Sequence, residues 1–140
     1  MMAVGSVDIA KIAVRMALST REEEHELKAK YQENGIRVAA VDFGGDFSSS
    51  IQKIVERTCV AAKREGIVTD THVGEGAVAG AVRDALMEVS LKASGFNVGG
   101  KVGLARYGEH LTVCAFFGIG LLNLNEVVIG LGHRSVGKEY

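Results

Sequence analysis

Proline is absent from this chain of 140 residues, cysteine occurs twice, and the aromatic side chains are limited to three tyrosines and five phenylalanines. No apolar run approaches the ~20 residues that a membrane helix needs. The start, M-M-A-V-G-S-V-D-I, has no basic region leading into a long apolar core. Neither a membrane span nor a signal peptide is expected. Cys59 and Cys114 each lie within an apolar periodic segment and form no C-x-x-C pair, so they read as small buried thiols. That usage fits a cytoplasmic protein in a reducing compartment. An excess of charge of one sign is missing too. A formal net charge of −1 gives no global attraction to nucleic acid, so RNA or DNA binding has to come from a local patch. Eight aromatics, most of them suited to the core, give single-strand stacking no independent support.

What is present is apolar bulk and glycine. Apolar residues make up 47% of the chain, which excludes a disordered polymer. The length suits one domain, residues 1–140, and at this size folding buries roughly two thirds of the unfolded surface. Of eighteen glycines, thirteen lie in the second half and imply tight turns and close backbone contacts there. No linker, repeat or low-complexity block interrupts the chain.

The periodicity predicts eight segments. D-I-A-K-I-A-V-R-M-A-L places Ile9, Ile12, Ala13 and Met16 on one helical face, with Ser6 as N-cap. Thr20 and Glu23 form a capping box for a second helix, which Glu22, Glu23 and Glu24 favour through its dipole and Asn34-Gly35 closes. I-R-V-A-A-V-D-F, residues 36–43, reads as a strand ending at Gly44-Gly45. Residues 49–65 form a helix stopped by Gly66, with Ile51, Ile54, Val55, Thr58 and Ala62 inward and Lys53, Arg57 and Arg64 on one outer stripe. The stretch H-V-G-E-G-A-V-A-G-A-V then runs into A-V-R-D-A-L-M-E-V, stopped near Gly95. K-V-G-L-A-R-Y and H-L-T-V-C-A-F-F flank Gly108-Glu109 as a hairpin, and E-V-V-I-G-L-G is a last strand. Terminal strands with short connections imply an α+β fold, an antiparallel sheet with helices packed on it, in the order ααβααβββ.

The glycine stretch is the first candidate for chemistry. A dinucleotide fingerprint is G-x-G-x-x-G directly after a strand. Here the spacing is G-x-G-x-x-x-G, T-D-T-H-V before it is a poor strand, and no lysine-threonine pair follows. Gly74 and Gly76 instead start a helix, and Gly80 with Ala77 and Ala81 leaves it a flat face that another backbone could approach. A pocket under that helix N-terminus, where free N–H groups favour an anion, stays open as an alternative. Among the histidines, His25 sits in a charged helix and His110 opens a strand, while His72 and His133 flank glycine-rich turns and are the better candidates. No two histidines share i, i+4 spacing on a helix. Ser135, His133 and Glu126 make no recognisable triad, and no G-x-S-x-G elbow exists, so no enzyme is expected.

Laid in order, these segments resemble the HutP family, the hut operon positive regulatory proteins, which are RNA-binding antiterminators of bacterial histidine-utilisation operons. The resemblance covers roughly residues 8–136. It rests on I-R-V-A-A-V-D-F-G, A-A-K-R-E-G-I-V, A-V-R-D-A-L, V-G-L-A-R-Y-G, F-F-G-I-G and V-I-G-L-G-H-R. It implies a four-stranded antiparallel sheet flanked by helices and a homohexamer built from dimers. It also implies binding of single-stranded RNA with NAG-type triplet repeats once L-histidine and Mg²⁺ are present, which keeps the RNA from forming a terminator hairpin. The family's two ligand histidines, one turn apart on the fourth helix, fall on Gly76 and Gly80, and a third falls near Glu126. Glycine offers no ligand atom, so that site does not carry over intact.

The candidates are therefore His72, Glu75, Asp84 and Arg106 for a small effector and Glu126 and His133 for a metal ion. Lys53, Arg57 and Arg64 are the candidates for RNA phosphates. Two other functions compete with an RNA-binding regulator: an oligomeric ligand-sensing module of the same fold that has lost the RNA role, and, less favoured, a small enzyme.

Overall fold

The computed structural model describes residues 8–44, 51–69, 71–93, 99–118 and 128–136. Helix α1 spans Ile9–Leu18, α2 Arg21–Glu33, α3 Ile51–Arg64 and α4 Glu75–Ala93. Strands β1 (Arg37–Gly44), β2 (Gly99–Tyr107), β3 (His110–Gly118) and β4 (Val128–Val136) pair antiparallel in the order β1-β2-β3-β4. The α+β class expected from the segment pattern is the class observed.

Local signals start and stop these elements. Asp8, not Ser6, caps α1: its carboxylate accepts from Lys11 N at 3.1 Å, because it directly precedes the first helical residue. Ser6 lies outside the described residues. The capping box of α2 forms in both directions. Glu23 N donates to Thr20 Oγ1 and Thr20 N donates to Glu23 Oε1, each at 3.1 Å. Helix α3 stops at Gly66, whose φ of +74° is the left-handed conformation that glycine adopts without a Cβ penalty.

The capping box makes a testable pH signature. The Thr20 N–H bond, foremost, holds the Glu23 carboxyl below its ordinary value. A carboxylate whose pKa falls on folding stabilises the native state above its unfolded pKa and loses that contribution as pH drops through the folded one. Wild type should therefore exceed Glu23→Ala in urea midpoint near neutral pH, with the gap narrowing below about pH 4.5, the unshifted value. A gap independent of pH would contradict this account of the cap.

Helices cover both faces of the sheet, which explains why the strands show apolar runs in place of strict alternation. On one face, Val38, Ala105, Cys114 and Phe116 pack with Ala13, Met16 and Ala17 of α1 and Leu27 of α2. On the other, Ala39, Phe43, Val102, Leu104, Leu111, Val113 and Ala115 pack with α3 and α4, where Ile54, Val55, Val78, Val82, Leu86 and Val89 are almost wholly buried. Helix α1 crosses β2 and β3. It comes so close at Gly103 that a Cβ there would collide with Ala13 O and stand 2.5 Å from Ala17 N. A charged seam also joins the layers. Lys101 donates to Ser19 O at 2.8 Å and lies 3.6 Å from Glu24, while Lys28 bridges Glu24 and Glu65 at 3.5 and 3.3 Å.

The last strand differs from the sequence reading. It continues past Gly132 to Val136, and His133 stands opposite Cys114 in the β3–β4 register. His133 is thus within a strand and does not flank a turn. Continued backbone pairing with β3 outweighs the weak strand preference of G-L-G.

Candidate functional site

The segment between α3 and α4 is built around one hydroxyl. Thr69 Oγ1 accepts from His72 N at 2.8 Å and from Val73 N at 3.2 Å, and Thr69 N donates to Val73 O at 2.8 Å. This closed loop presents His72 to solvent. Helix α4 then begins at Glu75, and Val78 N donates to Gly74 O at 3.2 Å. The glycine stretch is therefore a turn and a helix entry rather than a strand-borne phosphate loop, as its spacing predicts.

Between α3 and α4 lies an open groove of about 560 Å³. Val55, Cys59 and Val60 line it from α3, and Glu75, Gly76 and Arg83 line it from α4. Its charged side chains each have a partner. Glu75 lies 2.9 Å from Lys63, and Arg83 donates to Gln52 Oε1 at 3.1 Å. Burial, and then the charge of Glu75, push the Cys59 thiol up, so it stays protonated near neutral pH and is a poor nucleophile. Cys114 is pushed up to about 12 by burial. Both thiols are free and buried, as their apolar settings predict.

The four effector candidates do not converge. Glu75 lines the groove, but His72, Asp84 and Arg106 do not. Asp84 is exposed nine residues along α4 from Glu75, roughly 13 Å at 1.5 Å per residue. Arg106 is buried on β2, where Nη1 donates to Gly108 O at 2.7 Å and Nη2 to Gly66 O at 3.0 Å. For the metal candidates, Glu126 lies outside the described residues and only the strand position of His133 is described. Among the described residues no three histidine, cysteine, aspartate or glutamate side chains come together to hold an ion. Gly76 and Gly80 face open space, with nothing within 4 Å of a built Cβ.

Lys53, Arg57 and Arg64 are all exposed on α3. Arg57 also anchors the helix, donating from Nη2 to Asp42 O at 2.6 Å, and Arg64 lies 3.6 Å from Glu65. Sequence reasoning passed over Arg37. A cation opening an apolar strand is a weak signal, and its partner across the sheet is visible only in the register.

The sheet carries helices on both faces, and α3 turns Lys53, Arg57 and Arg64 outward. No curated protein matches the chain. The HutP family model matches residues 9–134, nearly the whole length, and the chain belongs to the HutP family. This is a family of RNA-binding regulatory proteins of the hut operon and not a family of enzymes. Among the described residues no helix is long and apolar enough to cross a membrane.

Proposed function

We propose that this protein controls transcription of a histidine-utilisation operon by antitermination, holding single-stranded triplet-repeat RNA so that a terminator hairpin cannot form. The family match over residues 9–134 carries the proposal. The outward face of α3 supplies the RNA contacts: Lys53, Arg57 and Arg64 are exposed there at helical spacing. Only one of the five guanidinium donors of Arg57 is used in its bond to Asp42 O. The working form is a dimer-based homohexamer. Its support is the flat, open stripe of Gly76 and Gly80 beside the exposed apolar side chains Val60 and Met87. The effector is L-histidine or another small molecule, and the groove beside Glu75 and Gly76 is the space available to it.

Filter binding with a NAG-repeat RNA, with and without L-histidine and Mg²⁺, tests this. Binding should exceed that of a scrambled RNA. Arg64→Ala should weaken it and reduce the salt-dependence slope by about 1, as loss of one phosphate contact does. Equal binding of both RNAs in every condition would refute the proposal. It would favour the second reading, a ligand-sensing oligomer without an RNA role, which the missing side chains at Gly76 and Gly80 support.

A further inference from the structure

Two arginines meet at one end of the sheet, and among the described residues no acid pairs with either. Arg37, the first residue of β1, and Arg106, near the end of β2, are register partners. By strand alternation both face the α3–α4 side, with Ala39 and with Leu104. They converge on Gly66, the stop of α3. Arg106 Nη2 donates to Gly66 O at 3.0 Å, and the Cδ and Nε of Arg37 lie 3.8 Å from where a Gly66 Cβ would stand. Arg106 is only 8% exposed, and its Nε is buried with no hydrogen-bond partner. Its two bonds go to carbonyl oxygens of Gly66 and Gly108, which are dipoles and carry no compensating charge. Among the described residues neither arginine forms an ion pair, and Arg37 has no hydrogen-bond acceptor.

A buried cation without a counter-charge is costly, and a second cation beside it adds to the cost. Burial, and then the charge of Arg37, pull Arg106 below the usual arginine value. An anion bound between the two side chains would relieve both effects. Guanidinium forks from two strands suit a tetrahedral oxyanion, which accepts from both at once, better than a flat carboxylate, which one fork satisfies.

We propose that Arg37 and Arg106, beside Gly66, form an oxyanion site that takes a phosphate group. The site does not depend on the antitermination reading. Its phosphate comes either from free phosphate or a small phosphorylated molecule, or from an RNA backbone. Arg37 is the residue to change, because it is only half-buried and no described residue accepts from its donors, whereas Arg106 ties two loops together.

Thermal unfolding of the full chain in chloride and in inorganic phosphate, at matched ionic strength, is the test. The wild-type Tm should climb with the logarithm of phosphate concentration, as binding to the native state requires. Arg37→Gln should lose that response, and in chloride it should be at least as stable as wild type, since a like-charge neighbour has been removed. A wild type indifferent to phosphate, or an Arg37→Gln variant that responds equally, would overturn the site. Where the phosphate response is present, the salt slope of RNA binding names the source. A slope lower by about 1 in Arg37→Gln identifies a backbone phosphate, and an unchanged slope identifies a free one.

Discussion

Gly103→Ala should destabilise the protein by about 3 kcal/mol, the upper part of the usual range for overpacking. One added methyl has nowhere to go. It would collide with Ala13 O and stand 2.5 Å from Ala17 N and 3.0 Å from Ala17 Cα. All three neighbours are backbone atoms of α1, so no rotamer change relieves the contact, and Ala17→Gly should not rescue the variant. The helix has to lift from β2 and β3, which would expose Ala13, Met16 and Ala17, now at most 1% exposed. Urea denaturation measures the loss. Gly80→Ala is the control: its Cβ meets nothing within 4 Å, and alanine favours a helix, so stability should hold or rise. A Gly103→Ala variant as stable as this control would mean that α1 does not rest on the sheet backbone.

The neighbouring residue should show the opposite intolerance. Leu104→Ala is expected to cost about 3 kcal/mol, within the roughly 2–5 kcal/mol typical of buried leucine truncations. Leu104 is fully buried on the other face of β2, in the cluster formed with α3 and α4. Truncation removes three heavy atoms from a layer whose neighbours, among them Val102, Leu111, Val113 and Leu86, are at most 1% exposed. Leu104→Met, which conserves volume, should cost less than about 1.5 kcal/mol. The urea midpoint should fall with little change in slope, since the surface exposed on unfolding is nearly the same. A cost below about 1 kcal/mol would show that α3 and α4 collapse into the vacated space.

These two positions also show where a sequence is legible. In V-G-L-A-R-Y, nothing local separates a glycine that serves a turn from one that receives a helix. The difference is set by α1, some 90 residues earlier, lying across β2. The same holds for the arginines: Arg37 and Arg106 are 69 positions apart and meet only because β1 and β2 pair in one register. By contrast, the α2 capping box, the Gly66 stop and the Gly108-Glu109 turn depend on groups within four residues of one another. Asp8 in place of Ser6 is a shift of that local kind, two residues along the chain.

By itself, then, the sequence determined the elements, their order, the α+β class, the burial of both cysteines and the outward basic stripe of α3. Each follows from short-range capping, glycine conformation or the period of apolar residues. The HutP resemblance was legible because it too rests on ordered local segments. Tertiary structure alone decided that β4 runs through His133, that Arg106 is buried on β2 away from the groove that Glu75 lines, and that Gly103 seats a helix. It also paired two cations at one end of the sheet. Those outcomes depend on strand register and on the distance between packed layers, which no short window of residues encodes.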